Sequence, residues 1–351
     1  MKKKVYVGLS GGVDSSVTAA MLIEQGYDVT GVYMKNWSQD LPGFECPWKE
    51  DYQDAKRVAV KLGIPFKMYD FETQYRDKVV QYMIDEYQAG RTPNPDIMCN
   101  QEVKFKLFLE TALEDGADMI ATGHYSRVEG RGARVELRTA ANTDKDQSYF
   151  LYRVTEEALS KSLMPIGDFK TKAEVRELAA KFDLPTAGKK DSQGICFVGK
   201  VGIKEFLQQY VKTVPGQIID QAGREIGEHD GAIFYTIGQR HGLNIGGGLP
   251  YYVVGKDMSK NQVFVTTNID DDRLWRESLT LADVHWINGE PDLSKTYQVR
   301  TRYRAPLVKC TIKQVDGGLE VMLDEQVRAI TPGQSAVLYD GDLVLGGGIV
   351  I

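Results

Sequence analysis

An apolar run, Val5-Tyr6-Val7, passes directly into GLSGGVDSSV at residues 8–17 and from there into a helix-forming stretch. No other feature constrains the fold as tightly. A strand that turns through two adjacent glycines into a helix leaves backbone N–H groups at a helix N-terminus, where the dipole favours an anion and glycine allows close approach. Ser10, Ser15 and Ser16 add hydroxyl groups. The turn could be no more than a capped helix start, with Asp14 or Ser15 as the cap. Six specified positions between strand and helix favour a bound phosphate instead, and the missing Walker lysine argues against γ-phosphate transfer.

The flanking pattern agrees with that reading. Strand-like segments at residues 4–9, 29–34, 65–70 and 118–122 alternate with helical ones at 15–25, 51–62, 72–88 and 104–114. Such alternation predicts an α/β fold with a parallel, doubly wound sheet, whose ligands gather at the carboxyl ends of the strands. GLSGGVDS and ATGHY (121–125) both fall there. After about residue 200 the strands shorten and glycines multiply, and from about residue 279 the pattern is all β, with hairpins expected around Asp316-Gly317-Gly318 and Asp340-Gly341. Closely spaced short strands predict a small C-terminal β-barrel. We divide the chain into a nucleotide-binding and catalytic domain over 1–200, a small central domain over 201–270 and the barrel over 271–351.

Composition excludes membrane and disordered classes: 42% of residues are hydrophobic and 26% charged, and no apolar run approaches the ~18 residues a membrane helix needs. MKKKVYVGLSGG is not a secretory signal, so the cytoplasm is the expected location. The net charge of −6 disfavours a nucleic-acid partner without excluding one, because local patches decide. TYQVRTRYRAPLVKCTIK (296–313) is such a patch, with five basic residues and no acid. In a strand, Arg300, Arg302 and Arg304 would share one face and Tyr303 the other, although a solvated strand face has the same pattern. Lys170, Lys172, Arg176 and Lys181 offer either a second basic surface or a solvated helix.

Four cysteines, at 46, 99, 196 and 310, form no CxxC pair, so neither a zinc site nor an iron–sulfur cluster is expected. RTPNPDIMCN (91–100) places Cys99 just before a helix expected to start near Asn100, where a thiol pKa falls below its free value of about 8.5. KKDSQGICFVG (189–199) places Cys196 after Lys189 and Lys190, cations that favour a thiolate. The alternative for both is a small buried hydrophobe. Cys310 alternates with apolar residues and is expected in the core, and Cys46 matches no pattern. His124 falls at the ligand edge of the sheet, whereas His229, His241 and His285 read as structural.

Taken together, GLSGGVDSSV, MKNW (34–37), AGRTPNPDIMCN, ATGHY, KDQSYFLY (145–152), DSQGICFVG, IGQRHGL and TPGQSAV with LGGGIV resemble the bacterial tRNA-specific 2-thiouridylase family of the N-type ATP pyrophosphatases, from one end of the chain to the other. The resemblance implies that Gly8, Leu9, Ser10, Gly11, Gly12, Val13, Asp14 and Ser15 bind the phosphates of ATP, that Met34 meets adenine through its backbone, and that Gly123 lines the same site. Asn94, Pro95 and Asp96 would meet the target base, with Asp96 orienting it or acting as a general base. Lys145, Asp146, Gln147, His124, Arg302, Tyr303 and Gln334 would touch tRNA. Cys196 would carry a persulfide and Cys99 would be its partner nucleophile. The implied reaction adenylates the C2 oxygen of the wobble uridine and then delivers sulfur, giving 2-thiouridine, AMP and pyrophosphate. Mg²⁺ would screen the triphosphate, and a persulfide carrier protein or cysteine desulfurase would supply sulfur, with no membrane involved. A different ATP pyrophosphatase, acting on a small acid, would leave the cysteine pair and barrel without a task. An RNA-binding protein with a degenerate nucleotide site would not need so complete a phosphate loop.

Overall fold

The computed structural model describes residues 2–40, 45–131, 134–190, 202–243, 245–246, 248 and 250–351. Strands β1 (Lys4–Gly8), β2 (Asp28–Lys35), β3 (Phe66–Asp70) and β4 (Met119–Ala121) alternate with helices α1 (Val13–Glu24), α2 (Trp48–Leu62), α3 (residues 72–88) and α4 (residues 95–114). In β1 every residue after Lys4 is buried, as a central parallel strand covered on both faces requires. Helix α2 turns Ala55, Val58 and Ala59 inward at helical spacing and stops at Gly63, whose φ of 66° is left-handed. Helix α3 buries Tyr75, Val79, Val80, Met83, Ile84 and Tyr87 in the same manner. Truncating a side chain as enclosed as Met83 to alanine costs about 2–5 kcal/mol. A hairpin of β5 (Ser126–Arg131) and β6 (Arg134–Thr139) follows, and β7 (Ser162–Leu163) returns to the sheet. The order is β3-β2-β1-β4-β7 with every pairing parallel, so the expected α/β fold is present.

Helix α4 departs from the sequence reading. It begins at Pro95, five residues before the expected start near Asn100 and ahead of Cys99 rather than after it. The Asn94 side chain accepts a hydrogen bond from the Asp96 N–H at 3.2 Å, and Pro95 occupies the first helical position, where its missing donor costs nothing. Pro95, directly after the Asn94 cap, is a helix start signal. The hairpin β5–β6 was also missed, because its strands are charged. Those charges are paired within the hairpin and with the barrel: Arg138 meets Glu129 and Glu136 of the hairpin and Asp342 of the barrel, and Arg127 meets Asp342 as well.

Beyond residue 202 a four-stranded sheet comprises β8 (Gly216–Ile219), β9 (Glu225–His229), β10 (Tyr252–Asp257) and β11 (Gln262–Thr266), in the order β10-β11-β8-β9. Strands β12 (Trp275–Trp286), β13 (Tyr297–Arg300), β14 (Val308–Val315), β15 (Gly318–Arg328), β16 (Ser335–Asp340) and β17 (Leu343–Val350) then form an antiparallel barrel closed by pairing of β12 with β17. Its edge at β17 meets β6 through Leu343 and Arg138, which welds the first domain to the last. The expected single face for Arg300, Arg302 and Arg304 is not found: β13 ends at Arg300, and Arg304 sits at a left-handed φ of 62°. Among the described residues no helix is long and apolar enough to cross a membrane.

Candidate active site

Gly12 caps α1 with extended backbone and no side-chain bond to the helix, so no side chain closes off the first turn. The loop is braced from behind instead. The Ser10 N–H donates to Ser15 Oγ at 3.2 Å, and the Ser15 and Ser16 hydroxyls donate to the Gly12 carbonyl at 3.1 and 2.7 Å. Gly11 has φ +77°, and a Cβ there would lie 2.5 Å from the Asp51 carbonyl oxygen. A Cβ on Gly123, just after β4, would lie 2.7 Å from Ser15 N, so the loop after β4 presses directly on the loop after β1. The Met34 terminal methyl reaches a position 2.9 Å from where a Gly8 Cβ would be. The sheet order reverses between β1 and β4, and a parallel sheet binds ligands at that crevice. Leu9 and Val13 have buried side chains and face the core.

Lys172, which the sequence left as a solvated or generic basic residue, completes this edge. At the start of the helix Lys172–Lys181 (α5), it donates to both carboxylate oxygens of Asp14 at 2.6 and 2.7 Å. Tyr125 donates its hydroxyl to Asp14 Oδ1 at 3.0 Å, and the Lys172 ammonium stands 5.6 Å from the Tyr125 ring centre. A cation therefore sits against the glycine loop after β1, although the loop sequence contains none. No local pattern could reveal it, because 158 positions separate the partners.

Cys99 is fully buried, inside α4 and at the start of a π-helical stretch, Cys99–Leu107. Such irregular turns recur at functional sites. Because Asn94 is the cap, the thiol is a turn inside the helix, and the helix-terminus argument for a thiolate no longer applies to it. Asn94 and Asp96 are half-buried while Pro95 and Ile97 face inward. The Asn100 side-chain amide donates to the Phe150 carbonyl at 3.1 Å, tying α4 to the segment after KDQ, and its Oδ1 is buried without a hydrogen-bond partner. Cys196 lies outside the described residues. Burial pushes the Cys310 thiol up to about 12, which suits an inert core residue. Cys46 is buried with its thiol toward the Trp37 carbonyl, and burial raises its pKa as well.

The residues expected at RNA divide into two kinds. Arg302 is exposed, and Tyr303 packs against Phe150 with ring centres 4.4 Å apart and the rings tilted by 47°. Asp146 is buried: it accepts from Ala140 N and from Ser148 N and Oγ, and pairs with Arg300 at 3.2 Å. Gln147 exchanges two hydrogen bonds with Tyr125, at 2.8 and 2.9 Å, and so locks KDQ onto ATGHY. His124 is buried against Phe105, with Nδ1 2.7 Å from Thr122 Oγ1. Burial, with Lys104 adding to it, holds its imidazole well below the usual range and hence neutral at pH 7. Gln334 Nε2 donates to the Thr92 carbonyl at 2.7 Å. Lys145 is half-buried.

Comparison with known proteins covers the whole chain. The family model described as "tRNA methyl transferase HUP domain" matches residues 3–200, "tRNA methyl transferase PRC-barrel domain" 204–267, and "Aminomethyltransferase beta-barrel domain" 276–350. The chain is 49% identical over 354 residues to the tRNA-specific 2-thiouridylase MnmA of Bacillus subtilis (strain 168), covering 99% of this chain and 94% of that protein. It is likewise 49% identical to the tRNA-specific 2-thiouridylase MnmA 2 of Geobacillus kaustophilus and to the tRNA-specific 2-thiouridylase MnmA of Listeria innocua, with the same coverage.

Proposed function

This chain belongs to the tRNA-specific 2-thiouridylase family, and from that membership we propose that it replaces the C2 oxygen of the wobble uridine in tRNA by sulfur at the expense of ATP. The observation that carries the reading is the edge of the parallel sheet where the SGGVDS loop, Gly123 and the Asp14–Lys172 pair meet. ATP lies with its phosphates over Gly8 to Ser15, and Met34 meets the adenine. The uridine C2 oxygen attacks the α-phosphate; the new O–P bond forms as pyrophosphate departs. The outer sulfur of a Cys196 persulfide then adds to C2, and the C2–O bond breaks as AMP leaves with the oxygen. Cys99 attacks the Cys196 Sγ, either before this step, freeing sulfide that adds to C2 instead, or after it, releasing the thiocarbonyl; in both orders the bond to the outer sulfur is replaced by a Cys99–Cys196 disulfide. In either timing two equivalents of an external thiol reduce the disulfide before a persulfide carrier protein or cysteine desulfurase reloads Cys196.

Asp96 orients the base, with a proton role at N3. Lys172 supplies the cation that the loop itself lacks. Mg²⁺ enters with ATP as the counter-ion of the triphosphate; among the described residues no group of three or more His, Cys, Asp or Glu side chains is arranged as a resident metal site. Arg302 and Tyr303 meet the RNA from the barrel, and Asn94 and Pro95 frame the base, so the domains over 1–200 and 271–351 hold the substrate between them. Cys99 is buried, so we assign to its π-helical stretch an opening on RNA binding. Such thiol chemistry suits the reducing cytoplasm. Incubation of the protein with ATP, Mg²⁺, a persulfide source and unmodified tRNA should yield 2-thiouridine by nucleoside mass spectrometry. Pyrophosphate release driven by a small acid and indifferent to tRNA would point to a different ATP pyrophosphatase.

A further inference from the structure

Thr92 belongs to the segment that leads into the cysteine-bearing helix, and residues of the other two domains engage all three of its polar groups. Its N–H donates to the Pro332 carbonyl at 2.9 Å, its carbonyl accepts from Gln334 Nε2 at 2.7 Å, and its hydroxyl lies 3.1 Å from that of Thr236. Gln334 Nε2 also reaches the Pro93 carbonyl at 3.4 Å. Gly333 has φ +90°, and a Cβ there would stand 2.7 Å from Thr92 N and 2.8 Å from Arg91 Cβ. The barrel side of this joint is fixed: Gly333 N donates to Val350 O, and Val350 N to Gln334 O. Ser335 adds a second tie by accepting from the Tyr149 hydroxyl at 2.8 Å. On the other side of Thr92, the proline pair Pro93 and Pro95 leaves little backbone freedom before Asn94, Asp96 and Cys99.

We propose that Gly333 and Gln334 are positioning residues: the barrel clamps the backbone of residues 91–93 and thereby sets the pose of Asn94, Asp96 and Cys99. This rests on the thiouridylase reading of Asp96 and Cys99. It differs from a direct RNA contact by Gln334, because its donor group is committed to two carbonyl oxygens of the protein. A clamp of this kind acts on the reacting geometry after RNA has bound, whereas an RNA contact acts on binding.

The test compares Gln334→Ala, Gln334→Glu and Thr236→Ala with the wild type, whose thiolation activity checks the underlying reading separately. Glutamate keeps the shape but turns a carboxylate oxygen toward two carbonyls. In both Gln334 variants kcat should fall about tenfold or more while KM for tRNA stays within about twofold. Amide exchange in residues 91–100 should rise at least about tenfold with β16 and β17 unchanged, and Thr236→Ala should raise it in the same segment by a smaller factor. If any variant instead raises KM for tRNA with kcat and exchange in 91–100 unaltered, the clamp is refuted. Exchange that rises through the whole barrel in Gln334→Ala, together with wild-type exchange of 91–100 in Thr236→Ala, would equally overturn it.

Discussion

Serine in place of Cys196 should reduce 2-thiouridine formation by about a thousandfold or more, because a hydroxyl cannot carry a transferable sulfur. Adenylation precedes sulfur delivery in the proposed sequence, so this variant should still release pyrophosphate on meeting tRNA, in a burst limited to about one per enzyme. Cys99→Ala should fail comparably in turnover but keep a persulfide on Cys196, visible as one added sulfur in the intact-protein mass. Alanine is the better choice at 99: serine would put a hydroxyl into a fully buried apolar site, costing about 1–3 kcal/mol and confusing folding with chemistry. Undiminished thiolation by Cys196→Ser with a persulfide donor would remove the cysteine from the mechanism.

Methionine at 172 should weaken ATP and pyrophosphate binding by about a hundredfold while leaving adenosine binding within about twofold. Two effects add in this variant. The phosphates lose a cation, and Asp14, which Lys172 neutralises through both carboxylate oxygens, becomes an uncompensated anion beside them. Methionine preserves most of the apolar stem of the lysine, so the folded state should change little. Calorimetric titration with each ligand separates the possibilities: equal weakening of adenosine and ATP would mean a damaged pocket, and unchanged ATP affinity would mean that Lys172 serves only Asp14.

The fold was legible where chemistry is local. The strand–glycine–helix passage at residues 8–17 fixed the parallel sheet and the place of the glycine turn at its carboxyl edge, and the Gly317 and Gly341 turns fixed two barrel hairpins. Errors came where long-range packing decides. The β5–β6 hairpin looks too polar for a strand until Asp342 is seen neutralising Arg127 and Arg138. Arg300 looked like an RNA contact, yet it is turned inward onto Asp146 and the Tyr339 ring. Cys99 appeared to stand at a helix end because Pro93 and Pro95 masked the Asn94 cap. Lys172 was invisible as a ligand-side cation because only the fold brings it to Asp14.

The central claim is that the oxygen leaving C2 departs on AMP. It is tested most directly by one turnover on tRNA carrying oxygen-18 at C2 of the target uridine, followed by mass analysis of the nucleotide product. The account predicts that the label appears in the phosphate of AMP, in a one-to-one ratio with 2-thiouridine. Label found in water or pyrophosphate, with thiolated tRNA formed, would contradict it.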